Sequence, residues 1–206
     1  RYLDGLEDIA EIYEIILDGM MTQIFREIQG CLADQWNNTG RPANNKVSAN
    51  TFDYQKMAQL VQVVSAYGTP VIYCSQLFAA QMVNVINTPA GLRVSDKEID
   101  EIRENGYIGK FAGAPVVVIP NSFEDENNDK LVFDPRFAYV IPAGKEKIVK
   151  VALVGQTIID EWKNTDRSME IQGYKKIGVG IVSAPNYWGI YYNSGIDAWG
   201  HDEIKA

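Results

Sequence analysis

Residues Tyr2–Trp36 read YLDGLEDIAEIYEIILDGMMTQIFREIQGCLADQW, and this stretch decides the fold. Its apolar side chains recur every three or four residues, which predicts one continuous amphipathic helix. They are Leu3, Leu6, Ile9, Tyr13, Ile16, Met20, Ile24, Ile28 and Leu32. At about 1.5 Å per residue the helix extends about 50 Å, which is longer than a compact domain of this size needs. Ile12 and Ile15 lie off the stripe and predict a second contact on the far side, with isolated surface residues as the alternative.

Shorter elements follow a predicted loop over residues 37–50. We expect Thr51 to cap a second helix over residues 52–67, and Ser75 to cap a third that ends at Asn87–Pro89. Gly155 and Gln156 are interpreted as the turn of a hairpin. The predicted strands are Val71–Cys74, Pro115–Pro120, Lys130–Phe133 with Phe137–Ile141, Ile148–Leu153, Thr157–Trp162, Met169–Val182 and Trp188–Tyr192. Helices first and strands later, without regular alternation, indicate the α+β class.

The composition excludes several classes of protein. The chain has 206 residues, of which 46% are hydrophobic, so it can build a core. Its formal net charge is −8, which argues against a protein that grips nucleic acid or anionic lipid through a basic face. No apolar run reaches the about 18 residues of a membrane span, and nothing at the start resembles a signal peptide. The chain begins with Arg1, so we expect it to be a piece of a longer protein.

No group of residues forms a recognisable catalytic, cofactor or metal site. Cys31 and Cys74 are interpreted as small buried apolar residues, and His201 lies in a polar tail. The glycines of Gly178–Ser183 lie inside a predicted strand, without the helix that a dinucleotide phosphate needs. The Glu124–Asp129 segment spaces oxygen ligands as a calcium loop does, but it lacks the turn glycine and the final glutamate.

The order of elements resembles the major capsid protein of tailed bacteriophages. The resemblance rests on the long acidic helix, on Phe111–Val118 (FAGAPVVV), on Leu131–Pro135 (LVFDP), and on a final strand pair through Gly178 and Tyr191. It implies the capsid fold of the Hong Kong phage type, with a spine helix, an axial domain and a peripheral domain. The chain then divides into residues 1–50 (spine helix and loop of the peripheral domain), 51–145 (axial domain with helices and central sheet) and 146–206 (returning strands, mostly of the peripheral domain, with part of the axial sheet). The N-terminal arm and extended loop of that family are missing from this sequence.

The resemblance also implies a function and partners. The chain is expected to be a structural subunit of an icosahedral phage or prophage head, not an enzyme, which assembles into hexamers and pentamers around the DNA genome. Scaffolding and portal proteins are its expected partners; contact with packaged DNA is weak and a membrane has no role. Its location is the virion, and the bacterial cytoplasm during assembly.

Residues expected to contact neighbouring subunits come from exposure and pattern. Tyr and Trp anchor many protein interfaces, and the last twenty residues are rich in both. The candidates are Ile12, Ile15, Asp96, Glu101, Glu124, Glu126, Trp188, Tyr191, Tyr192 and Trp199.

Three alternatives remain open at this point. An encapsulin shell is expected to share the capsid fold and differs by a groove that binds cargo. An α+β enzyme would require a site that sequence motifs do not reveal. A monomeric binding module would not assemble.

Overall fold

The computed structural model describes residues 9–86, 106–144, 147–165 and 169–202. The helices in these ranges are α1 (Ile9–Asp34), α2 (Tyr54–Ser65) and α3 (Gln76–Ile86). The strands are β1 (Lys46–Ala49), β2 (Thr69–Cys74), β3 (Lys110–Phe111), β4 (Ala114–Val118), β5 (Phe137–Ala143), β6 (Val149–Lys163), β7 (Met169–Ile181) and β8 (Gly189–Asn193). The chain forms two units. We call residues 1–31 and 148–182 the helix–ribbon unit, and residues 32–147 and 183–206 the sheet unit.

The sheet unit contains a mixed six-stranded sheet in the order β1-β8-β5-β2-β4-β3. The pairs β1–β8 and β2–β4 are parallel, and the other three pairs are antiparallel. Every residue of β8 is buried, as are most residues of β5. Strands buried on both faces are apolar throughout, which explains the runs FAYVIPA and GIYYN.

The two faces of this sheet are covered by different side chains. On one face α2 and α3 supply Met57, Leu60, Val64 and Phe78, all fully buried. Tyr191 of β8 packs there, with its ring 5.5 Å from Phe78. The other face carries an aromatic cluster whose rings contact one another: Trp36, Phe137, Tyr139, Trp188 and Tyr192.

The second and third helices begin at side-chain caps. The Asp53 carboxylate accepts hydrogen bonds from the backbone N–H groups of Gln55 and Lys56, at 2.9 and 3.2 Å. The cap of α2 is therefore Asp53, and the prediction of Thr51 was wrong by two residues. The predicted Ser75 cap is confirmed, because its Oγ accepts the Phe78 N–H at 3.1 Å.

The helix–ribbon unit pairs α1 with a long antiparallel ribbon of β6 and β7. The predicted apolar stripe of α1 is confirmed where the side chains are described, because Ile16, Met20, Ile24 and Ile28 are half-buried. α1 approaches the ribbon closely at Gly173 of β7. A Cβ there would lie 2.6 Å from Met20 Cε and 2.7 Å from Ile16 Cγ2.

Residues 148–162 are one strand and not the predicted hairpin. β6 runs continuously from Val149 to Lys163 and pairs along its length with β7, with a register shift between Val154 and Ile158. Gly155 has φ +79°. A positive φ at glycine is typical of a tight turn and also of a bulge inside a strand, and here it makes the bulge.

Two other strand predictions also need correction. Residues 46–49, predicted as loop, form the edge strand β1 beside β8. This strand is short and mostly polar, so it has no apolar alternation to reveal it. Residues 130–133 form no strand: Leu131 makes only an isolated bridge with Phe123.

Among the described residues, no helix combines the length and the apolar character that crossing a bilayer requires.

The close approach of β8 and α2 gives a stability test. Gly189→Ala would place its Cβ 2.5 Å from Leu60 Cδ1 and 2.8 Å from Leu60 Cγ, inside a core with no room to adjust. We expect a loss of about 1–3 kcal/mol in the free energy of unfolding, measured by urea titration with tryptophan fluorescence. Gly144→Ala in the same unit is the control, since its Cβ would lie 3.8 Å from Tyr187 Oη. A Gly189→Ala protein as stable as the control would contradict the packing described here.

Candidate assembly surfaces

The predicted contact residues of α1 lie in the helix–ribbon unit. Ile12 lies within α1, and Ile15 is 65% exposed. Asp96 and Glu101 lie outside the described residues. Ile15 therefore presents an apolar side chain to solvent that this chain leaves uncovered.

The acidic loop 124–129 is a compact turn of the sheet unit. Two hydrogen bonds close it: Glu124 N donates to the Lys130 carbonyl at 2.8 Å, and Asp129 N donates to the Asp125 side-chain Oδ1 at 2.9 Å. The Lys130 ammonium forms an ion pair with Glu124 at 3.2 Å, and Glu126 is exposed. No group of three or more metal-ligating side chains occurs in the described part of the chain, this loop included. The loop therefore offers an acidic surface.

Three of the four aromatic residues predicted to contact neighbouring subunits pack inside this chain. Trp188, Tyr191 and Tyr192 are buried. The Tyr191 hydroxyl accepts the Asp53 N–H at 2.9 Å, and burial raises the pKa of Tyr191. Their rings are committed to the core of the sheet unit, where they fill space between strands and helices. Trp199 is half-buried, with its ring 5.7 Å from Phe123.

A buried arginine, which the sequence did not single out, holds the loops before β1 and β8 together. Arg41 Nη1 donates to the carbonyls of Trp188 and Pro185 at 2.8 and 3.0 Å. Its guanidinium lies 4.1 Å from the centre of the Trp188 ring. Burial lowers the pKa of Arg41 to about 10, so the group is still charged at neutral pH. Asn45 Nδ2 adds a 3.1 Å bond to the Trp188 carbonyl.

A buried ion pair fixes the chain near its end. Arg136 Nη2 lies 2.8 Å from Asp134 Oδ2 and donates to the Asp202 carbonyl at 2.7 Å. Burial alone would lower the pKa of Arg136, but the hydrogen bond and charge of Asp134 raise it overall. Residues 134–136 therefore hold the terminal segment on the sheet unit.

Neither cysteine has the surroundings of a reactive thiol. Burial raises the pKa of Cys74 to about 12, so it is a neutral thiol at physiological pH. Cys31 is half-buried, and its Sγ donates to the Val179 carbonyl at 3.7 Å. Cys74 packs as a small apolar residue in the core of the sheet unit, as predicted.

Apolar side chains are exposed along the ribbon. Val154, Ile158, Trp162 and Tyr174 are between 46 and 58% exposed. Residues directly paired across an antiparallel ribbon share a face, and Ile158 pairs with Tyr174. Since Gly173 faces α1, these neighbours face away from it. We call the face with Val154, Ile158, Trp162, Tyr174 and Lys176 the outer ribbon face.

α1 has a second apolar stripe beside its buried one. Leu17, Met21 and Phe25 recur every four residues and are 49, 51 and 57% exposed. Glu14 and Asp18 are exposed on the same side of the helix at 100° per residue. We call these five residues the exposed helix stripe. The spacing of four is visible in the sequence, but it lies directly beside the buried stripe and merges with it in the periodic pattern.

The sheet unit offers two further open surfaces. A groove of about 630 Å³ runs beside the edge strand β1, with Lys46 and Lys56 in its wall. A smaller hollow of about 250 Å³ is lined by Leu77, Phe123 and Trp199 among others. Free sheet edges and shallow apolar hollows are typical of surfaces that bind other protein segments.

Comparison with known proteins identifies the family to which this sequence belongs. A family model described as "SPbeta prophage-derived putative capsid protein YonB" matches residues 1–186. No sequence among the curated proteins matches the chain.

Two solved structures are similar in fold. The holo-SrpI encapsulin complex from Synechococcus elongatus PCC 7942 is 10% identical with a TM-score of 0.53, over 97% of this chain and 69% of that one. A phage-related protein from Bordetella bronchiseptica RB50 is 11% identical with a TM-score of 0.58, over 93% of this chain and 70% of that one. At these identities the likeness is one of fold.

The Arg41 contacts predict a stability effect. Arg41→Met keeps much of the apolar stem but removes the donors to the Pro185 and Trp188 carbonyls. We expect a loss of about 2–3 kcal/mol in the free energy of unfolding, because hydrogen bonds from a charged donor are lost and a buried carbonyl is left with fewer partners. Urea unfolding measures it, with Lys110→Met, an exposed cation of the same unit, as the control. Equal midpoints for the two variants would show that Arg41 does not hold these loops.

Proposed function

Because the chain belongs to the YonB family of prophage-derived capsid proteins, we propose that it builds the icosahedral head of a phage or prophage as hexamers and pentamers around the DNA genome. The family and the capsid-type α+β fold identify it as a structural subunit of a phage head, so the predicted resemblance, fold class and function are confirmed. The family match over residues 1–186 is the observation that carries this conclusion. The arrangement of the subunits in hexamers and pentamers is our proposal.

The exposed surfaces support assembly into closed rings. Around a ring each subunit contacts its two neighbours through two different patches, since the contact is heterologous. The helix–ribbon unit exposes two separate apolar surfaces, and monomeric soluble proteins rarely expose large ones without a partner. Ile15 adds an exposed apolar side chain, and the acidic loop 124–129 adds a charged surface, so both stay candidate contacts.

The domain division also fits a capsid subunit. We assign residues 1–31 and 148–182 to the peripheral domain and residues 32–147 and 183–206 to the axial domain. The boundary expected at residue 50 moves because β1 pairs with β8 in the six-stranded sheet. The assignment is supported by the ribbon, which belongs to one unit with α1, and by β8, which joins the six-stranded sheet.

A shell subunit needs no catalytic group, and we propose that this chain carries out no reaction. Arg41 and Arg136 are buried where they bind a backbone carbonyl and the Asp134 carboxylate, and Cys74 is buried by packing. The net charge of −8 keeps contact with packaged DNA weak. Scaffolding and portal proteins are the proposed partners, the virion is the final location, and the bacterial cytoplasm is the place of assembly.

An encapsulin-type shell is the second candidate, favoured by the similarity in fold to the SrpI encapsulin. The two functions differ in what the shell encloses. A head encloses DNA, whereas an encapsulin would enclose a protein cargo.

Assembly and contents can be tested together. We expect the protein, expressed in its full coding context, to form rings or shells in negative-stain electron microscopy. Particles produced during phage growth should protect DNA from nuclease. Particles that contain a protein cargo and no protected DNA would support the encapsulin alternative. A protein that stays monomeric at its highest soluble concentration would contradict both.

A further inference from the structure

The outer ribbon face is an apolar surface that its own unit leaves open. A two-stranded ribbon is marginally stable alone and needs cover from another layer. α1 supplies that cover on the face with Gly173, where Ile16 and Met20 approach the backbone. The opposite face keeps Ile158, Tyr174 and Trp162 roughly half exposed.

The exposed helix stripe is the second open surface of the same unit. Its apolar residues Leu17, Met21 and Phe25 lie beside the stripe that packs against the ribbon. A helix with one apolar side buries it against one packing partner, and a helix with two apolar sides needs a second packing partner. In a ring of identical subunits, one such surface of each copy can pack against the other surface of the next copy.

The two surfaces match in length. From Leu17 to Phe25 the helix rises eight residues, about 12 Å at 1.5 Å per residue. From Ile158 to Trp162 the strand rises four residues, about 13 Å at 3.3 Å per residue. Three apolar contacts on the helix therefore span the same distance as the apolar stretch on the ribbon.

The charges match as well, and they set a direction. Glu14 and Asp18 lie toward the N-terminal end of the exposed helix stripe, and Phe25 ends it without an acid. On the outer ribbon face Lys176 pairs with Val154 at the bulge, and Glu170 pairs with Trp162 at the other end. Asp160 pairs with Gln172 midway between Ile158 and Trp162, on the Glu170 side of Ile158. Placing the helix acids beside Lys176 keeps them away from Glu170, because like charges in contact repel.

We propose that the exposed helix stripe of one copy packs on the outer ribbon face of the next copy, with Asp18 and Glu14 beside Lys176. This inference rests on the proposed shell function and names one contact that would build the shell. The contact is heterologous, so it closes a ring only when every copy donates a helix and accepts one.

Charge reversal tests the contact. We expect Asp18→Lys and Lys176→Glu each to raise the protein concentration needed for assembly at least about tenfold, because each places like charges together. Every variant and the reference also carry Glu14→Gln, because Glu14 would otherwise repel the new carboxylate at position 176. In this background the double variant restores the attraction with its sign reversed, so it should assemble within about threefold of the chain that carries Glu14→Gln alone. Lys147→Glu, an exposed cation outside the outer ribbon face, is the matched control. Sedimentation velocity measures assembly, and circular dichroism checks that each variant is folded.

A second measurement uses the native residues. A carbodiimide joins a carboxylate to an ammonium only when the two are in contact. Assembled particles prepared from mixed 14N and 15N protein should give a cross-linked peptide containing Lys176 and either Asp18 or Glu14, with the isotopes mixed between its halves. Mixed isotopes prove that the link joins two copies.

The outcomes separate this inference from the function that it rests on. The contact is supported if assembly is weaker in each single variant, is restored in the double variant, and gives the mixed-isotope cross-link. Particles that form normally in both single variants, or that lack the link, overturn the contact and leave the shell function standing. Single variants that the double change does not rescue also overturn it. An original chain that never assembles overturns both.

Discussion

A two-stranded ribbon has two faces and two edges, and a single helix can cover only one of those faces. In this chain α1 covers the face that contains Gly173, where the missing side chain lets Ile16 and Met20 approach the backbone. The face with Ile158 and Tyr174 has no such cover within its unit. α1 covers the Gly173 face in part, since Ile159 and Leu153 on that face are 38 and 52% exposed. The outer ribbon face has no helix over it within the described part of its unit and is available for a neighbouring subunit.

The sheet unit solves the same problem inside one chain. β8 and β5 are buried on both faces because α2 and α3 cover one side and an aromatic cluster around Trp36 covers the other. Arg41 then ties the loop before β1 to the loop before β8 through two carbonyls. The contrast between the units explains why aromatic residues near the C-terminus are poor guides to an interface: Trp188, Tyr191 and Tyr192 serve this internal core.

The sequence predicted those elements whose signals are local. Ser75 as a cap, the apolar run of β4 and the stripe of α1 each follow from one short pattern, and each was found. β1 was missed because only its pairing with β8, more than 140 residues away, makes it a strand. Gly155 was misread because a turn and a bulge require the same backbone conformation at glycine, and only the partner strand β7 distinguishes them. Buried Arg41 carried no local signal either, since its partners are carbonyls.

The exposed outer ribbon face gives the acidic residues of α1 a second role. From composition alone, a helix rich in carboxylates predicts only weak contact with DNA. Position adds information that composition lacks: Glu14 and Asp18 flank Leu17, on the side of the helix that carries the exposed apolar residues. Solvation accounts for acids on any exposed side of the helix. Their position beside Leu17 also lets these two acids orient a contact, because a charge that directs a contact must lie beside the apolar surface. Lys176 lies at one end of the outer ribbon face and Glu170 at the other, with Asp160 between them. Packing with the helix acids beside Lys176 is therefore the direction that avoids like-charge contact with Glu170. Apolar area can supply the affinity between copies, and the charges fix the direction in which each copy is added.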